Sequence, residues 1–202
     1  MLPAVRSEYE GLRMSSFVTI DFEASCLPRD GRSYPIEVGI ADMAGWSRSW
    51  LIRPEAAWED LTWKAEAAAL HGIDRDQLDC EGLPASVVLA ELNACVAGRE
   101  VVADHDLDRV WLAILSDAAG IRPGFRIRHV AELLDQWRPS SDLLQRAVEM
   151  ADRTSPRRHR AGPDALWLAR LVGGLRADHI AAHPLFRWSG TAIGAPALQN
   201  AA

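Results

Sequence analysis

Asp21 and Glu23 stand two residues apart in Val18-Thr-Ile-Asp-Phe-Glu-Ala-Ser25. A run of aspartates lies in Ala103-Asp-His-Asp-Leu-Asp-Arg-Val-Trp-Leu112, and His159 precedes Asp164 in His159-Arg-Ala-Gly-Pro-Asp-Ala165. Four carboxylates and one imidazole from these segments could cleave a phosphodiester with two divalent cations. Magnesium takes hard oxygen ligands, keeps several waters, and is held by a few carboxylates together with substrate phosphate.

Spacing supports that chemistry. Side chains on a strand alternate between faces, so Asp21 and Glu23 share one face while Phe22 packs the other way. Two neighbouring carboxylates repel unless a cation or a proton lies between them, which makes the pair a ready metal site. Asp-x-Glu on its own is common by chance, and its plain reading is surface. Asp164 follows Pro163 in a first helical turn, where the helix dipole favours an ionised carboxylate; its plain role is helix-end stabilisation. His159 falls in the loop above that helix, where a lone histidine is usually just solvated. Arg153, Arg157, Arg158 and Arg160 crowd around it. That basic cluster is either a solvated loop or a set of phosphate contacts.

The elements that must hold these residues can be read from patterning. Phe17 to Ile20, Ile36 to Met43 and Trp50 to Ile52 are strand candidates, with Gly45 marking a hairpin turn between the last two. They form an antiparallel meander. Trp58 to Leu70 is polar and alanine-rich, suggesting short helices. Ala85 to Ala97 places Val88, Leu89, Leu92 and Val96 at helical spacing behind Pro84, and Gly98 stops it. Val101 to Ala103 is wholly apolar, as a buried parallel strand requires, and Asp108 to Ala119 reads as a helix ended by Gly120. Ile127 to Val130 is an edge strand, so the sheet is mixed. Ala131 to Trp137 and Asp142 to Met150 are helices, Arg153 to Gly162 a polar loop. Pro163, at a first helical position, opens a last helix that Gly173-Gly174 closes.

The 202 residues fit one domain, and 49% hydrophobic with 25% charged residues is globular. A single domain over 1–202 is expected, with its core at about 16–176 and a loosely ordered tail from about 184. No apolar run approaches the roughly 20 residues that cross a bilayer, and Met1 to Arg13 lacks the apolar core of a signal peptide, so a cytoplasmic protein without membrane association is expected. Cys26, Cys80 and Cys95 are odd in number and far apart, which points to reduced thiols. The net charge of −6 is unusual for a nucleic-acid binder. Two divalent cations would bring it to about −2 and would themselves bind phosphate.

With its three motifs in this order, the chain resembles the DEDD superfamily of 3′→5′ exonucleases, specifically the DEDDh, or DnaQ-like, subgroup, from Phe17 to about Leu175. The resemblance implies an α/β fold, a ribonuclease H-like mixed β-sheet flanked by α-helices. It implies that Asp21, Glu23, Asp108 and Asp164 bind two Mg²⁺ or Mn²⁺ ions. Asp21 then bridges both, Glu23 and Asp164 complete one, Asp108 holds the other largely through water, and His159 is the general base. The implied substrates are 3′ ends of single-stranded RNA or DNA, released as nucleoside 5′-monophosphates, with Phe22, Ser25, Leu27, Arg158 and Arg160 as substrate contacts. Trp63-Lys-Ala-Glu-Ala-Ala-Ala-Leu-His71-Gly-Ile is similar to the segment between the family's first and second motifs. Ser25-Cys26-Leu27 departs from the Thr-Gly common after the first motif. In the second motif Asp104, Asp106 and Asp108 compete. Asp108 is preferred because Leu107-Asp108-Arg-Val-Trp-Leu112 follows the apolar-Asp-x-x-apolar-Leu pattern and starts a helix, where its plain role is an N-cap; His105 is the alternative base.

A catalytically silent nuclease-fold module that binds nucleic acid or a protein partner is the competing expectation. Trp46, Trp50, Trp58 and Trp63 are its potential anchors, since aromatic rings stack on single-stranded bases, although packing inside the protein is their commoner role.

Overall fold

The structure, a computed structural model, describes residues 17–155 and 159–182. Among them five strands form one sheet in the order β3-β2-β1-β4-β5. β1 (Phe17–Ala24), β2 (Pro35–Asp42) and β3 (Ser47–Leu51) make the antiparallel meander, and β4 (Glu100–Ala103) and β5 (Ile127–His129) are added in parallel. The helices are α1 (Ala65–His71), α2 (Arg75–Glu81), α3 (Ala85–Val96), α4 (Leu107–Ala119), α5 (Val130–Trp137), α6 (Ser141–Thr154) and α7 (Ala161–Ala182). The sheet is mixed and flanked by helices, as expected.

Alternation on β1 and β2 decides which layer covers which face. Val18, Ile20, Phe22 and Ala24 join Ile36, Val38 and Ile40 in a core shared with Val88, Leu89 and Leu92 of α3 and Leu112 and Leu115 of α4. The opposite positions, Thr19, Asp21 and Glu23 on β1 with Glu37, Gly39 and Ala41 on β2, are polar or small. α7 lies on that face. The Thr19 hydroxyl donates to the carbonyl of Ala165 at 2.6 Å, and Ala41 packs with Ala165 and Ala169. Small side chains let helix and sheet approach closely. Farther along, Phe17 and Val102 meet Leu133, Ala147, Leu168 and Val172 in a second core.

Several boundaries differ from the patterning. β1 runs on to Ala24, so Asp21 and Glu23 are inside the strand. α2 was not foreseen; its signal is Asp74, whose side chain caps the helix by accepting from the Gln77 N–H at 2.7 Å. The Arg153 to Gly162 loop is shorter than expected, because α6 continues to Thr154 and α7 begins at Ala161. Pro163 is therefore third in α7, a position that still has no intrahelical partner for an N–H. Gly173-Gly174 does not end α7. A Cβ added at Gly173 would lie 3.4 Å from the Met43 side chain, and one at Gly174 3.7 Å from Ala147. The two glycines serve close packing, and neither has a positive φ. The expected tail from about residue 184 lies outside the described residues. No described helix is long and apolar enough to cross a membrane.

Candidate metal centre

The parallel register brings the first two acidic segments together. Thr19 pairs with Val102, so continuing the same offset carries Asp104, one residue past β4, alongside Asp21. Asp108 reaches the same place from the first turn of α4, and Asp164 from the first turn of α7. Two three-carboxylate groups result. In Asp21, Asp104 and Asp108 one oxygen from each lies within 4.8 Å of the others, and Asp21, Glu23 and Asp164 meet the same condition. Asp21 is common to both. Asp106 is turned away, its carboxylate bonded to Arg109 at 2.8 Å.

Concentrating these charges is unfavourable without a counter-ion. Burial, then the charges of Asp108, Glu23, Asp164 and Asp104, hold Asp21 well above the usual carboxylate range. Glu23 is pushed up to about 8 by burial, then by Asp164 and Glu37, with Arg160 acting in the opposite sense. Asp108 is pushed up to about 8 by burial and then Asp104, against hydrogen bonds from the Phe22 and His105 amides. Asp108 is 1% exposed. Its Oδ1 accepts from the Phe22 N–H at 3.2 Å, while its Oδ2 is buried with no hydrogen-bond partner. A buried carboxylate oxygen lacking a donor, among like charges, is a position that a divalent cation fits. The donor set is all oxygen, which suits Mg²⁺ or Mn²⁺.

His159 is exposed beside this cluster. Its φ of 65° is in the left-handed region, uncommon outside glycine, and its N–H donates to Asp164 Oδ2 at 2.6 Å. His105, the alternative base, uses Nδ1 to accept from the Leu107 N–H at 3.0 Å. Arg160 is half-buried and faces Glu37. Its Nε and Nη2 bond both oxygens of Glu37 at 2.9 and 2.8 Å, and Glu37 Oε2 also accepts from the Ala161 N–H at 3.0 Å. Arg157 and Arg158 lie outside the described residues.

A cleft of about 460 Å³ opens next to Glu23, lined among others by Phe22, Leu27, Lys64, Glu66, His71 and Trp111. Leu27 is exposed at its mouth, whereas the Phe22 ring belongs to the core. Ser25 is fully buried and its Oγ accepts from the Tyr34 N–H at 3.2 Å, so its hydroxyl is directed to the β1–β2 connection. His71, named from the sequence only as part of the segment Trp63 to Ile73 and given no role there, also lines the cleft. Its Nδ1 accepts from the Ile73 N–H at 3.1 Å, its Nε2 is buried with no hydrogen-bond partner, and burial pulls its pKa down to about 4. The ring is therefore neutral with its proton on Nε2, an unused donor on the cleft wall. The sequence signal was a histidine immediately before Gly72, which ends α1 at a φ of 70°. Cys26 also lines the cleft, and all three cysteines are free. Trp50 and Trp58 are buried, while Trp46 is exposed beneath Arg99.

No protein-family model matches the chain, nor does any curated protein sequence. Solved structures do. A full-length 3′-exonuclease superposes with a TM-score of 0.60 at 17% identity, covering 82% of this chain and 61% of that one. The fold, a mixed five-stranded sheet flanked by helices, matches that of ribonuclease H-like exonuclease structures. S. pombe Pop2p in its Mg²⁺- and Mn²⁺-bound form gives 0.54 at 14% identity, covering 89% of this chain and 90% of Pop2p. E. coli exonuclease I in complex with a dA16 oligonucleotide gives 0.58 at 13% identity, covering 82% of this chain and 42% of the enzyme. The chain thus spans less than two thirds of the first and last of these.

Proposed function

We propose that this chain is a metal-dependent 3′→5′ exonuclease of the DEDDh type, acting on single-stranded RNA or DNA and releasing nucleoside 5′-monophosphates. The observation that carries the reading is the pair of three-carboxylate groups sharing Asp21. Asp21, Glu23 and Asp164 would hold one Mg²⁺ or Mn²⁺, and Asp21, Asp108 and Asp104 the second. Such a pair of ions supplies Lewis-acid charge at the attacking and leaving oxygens of an in-line displacement. The exposed His159 imidazole, anchored through its backbone to Asp164, takes the proton of the attacking water. The cleft beside Glu23 receives the 3′-terminal nucleoside, with Leu27 at its mouth and His71 Nε2–H as a fixed donor.

Purified protein is incubated with single-stranded RNA and DNA of one sequence, labelled at either end, with Mg²⁺, Mn²⁺ or excess EDTA. Progressive shortening of 5′-labelled strands and immediate release of the 3′ label as a mononucleotide, abolished by EDTA, are expected. Cleavage that persists in EDTA, or internal cutting, refutes the reading. Binding without hydrolysis in either metal replaces it with the silent nucleic-acid-binding module.

A further inference from the structure

The geometry points to Glu37 and Arg160 as a positioning pair that clamps the His159–Asp164 segment onto β2. This deepens the proposed function and rests on it. Glu37 is 1% exposed, set among the apolar residues of Pro35 to Ala41, and each of its oxygens is used. The arginine fork occupies both, and the Ala161 N–H shares one. Arg160 and Ala161 are the two residues that follow His159.

The clamp continues along the chain. The Asp164 N–H donates to the Arg160 carbonyl at 3.0 Å, and Asp164 returns a bond by accepting from the His159 N–H. Residues 159–164 thus form a closed set of bonds, tied to the sheet by one carboxylate 123 positions earlier. Gly39, two residues along the same face, completes the seat, because a Cβ there would come within 2.2 Å of the Ala161 carbonyl carbon. The left-handed φ of His159 is held by this framework. Because Arg160 presents its fork to Glu37, it acts through His159 and Asp164 and not as a bidentate phosphate contact. A reacting group displaced by about 1 Å costs on the order of a hundredfold in rate, so loosening this segment should be read in turnover.

The test compares Glu37→Gln, Arg160→Met, Arg160→Lys and the Glu37→Gln/Arg160→Met double variant with the unaltered chain, in saturating Mn²⁺ on a single-stranded oligonucleotide. We expect each single variant to lose about tenfold or more in kcat, with KM within roughly twofold and an unchanged salt dependence. The double variant should be no worse than the singles, since both remove one device. Arg160→Lys keeps the charge and loses the fork, and it serves if the methionine variant does not fold. A raised KM with a flattened salt dependence and intact kcat in the Arg160 variants makes Arg160 a phosphate contact and overturns the proposal. So does wild-type kcat in folded Glu37→Gln. Amide hydrogen exchange at His159, Ala161 and Asp164 gives a readout without substrate. Exchange faster in Glu37→Gln than in the unaltered chain supports the clamp, and equal exchange overturns it, even if the unaltered chain proves inactive and the nuclease reading itself fails.

Discussion

Replacing Asp108 by asparagine should stabilise the metal-free protein while weakening its response to metal. Asp108 is 1% exposed, its Oδ2 has no donor, and its pKa rises from 3.8 to about 8. The folded state therefore retains this proton between those two pH values while the unfolded chain has lost it. The slope of unfolding free energy against pH is negative across that window: stability is fully present below pH 3.8 and declines as pH rises towards 8. At 1.36 kcal/mol per pH unit, the penalty at pH 7 is on the order of 4 kcal/mol. Asparagine has no such titration, and its side-chain oxygen can still accept from the Phe22 N–H. In EDTA, Asp108→Asn should match wild type near pH 4 and exceed it by several kcal/mol at pH 7, roughly 10 °C in Tm for a chain of this size. Saturating Mn²⁺ should narrow the gap, since a ligand at a hundredfold its Kd adds about 2.7 kcal/mol to the form that binds it, and the variant has lost one of the two groups that bind. Urea unfolding from pH 4 to pH 8, with EDTA and with Mn²⁺, measures both effects. Equal stability of the two proteins in EDTA at pH 7, or equal stabilisation of both by Mn²⁺, refutes the reasoning.

Asp21→Ala should cost more turnover than any other single carboxylate removal, because both groups share that residue; steady-state kinetics of the five alanine variants rank them. Asp106→Asn should be nearly silent and Asp104→Asn should weaken activation by Mn²⁺, a contrast visible in metal titrations of hydrolysis. His159→Ala should lose roughly a hundredfold or more in kcat yet keep the Mn²⁺-induced rise in Tm, which separates a proton acceptor from a ligand. Gly39→Ala should lower stability by about 1–3 kcal/mol in chemical denaturation, since the new Cβ meets the backbone of Ala161, which cannot rotate out of the way.

The sheet was legible because its strands obey the simplest rule available. Alternation in Val18 to Ala24 gave the two faces of β1, and the unbroken apolar run Val101 to Ala103 marked a strand buried on both faces. The helix ends were less so. Gly120 has a φ of 63° and ends α4, yet Gly173 and Gly174 lie inside α7, and the residues alone look alike. What separates them is whether a neighbouring side chain needs the space, as Met43 and Ala147 do. That information belongs to tertiary packing.

The same limit applies to the site. Local spacing could pair Asp21 with Glu23 and place Asp164 at a helix start, but it required a choice among Asp104, Asp106 and Asp108. The structure brings two of them to Asp21 by different routes, Asp104 through the parallel register and Asp108 through the first turn of α4. A single-ligand motif has no way to express that. Glu37 did carry a signal, a charge set among the apolar residues Ile36 to Ala41 where burial without a partner would be costly. Its partner, Arg160, was in view in the basic cluster near His159. Only the fold joins them, and in doing so it turns an arginine that resembled a phosphate contact into part of the frame that holds the histidine.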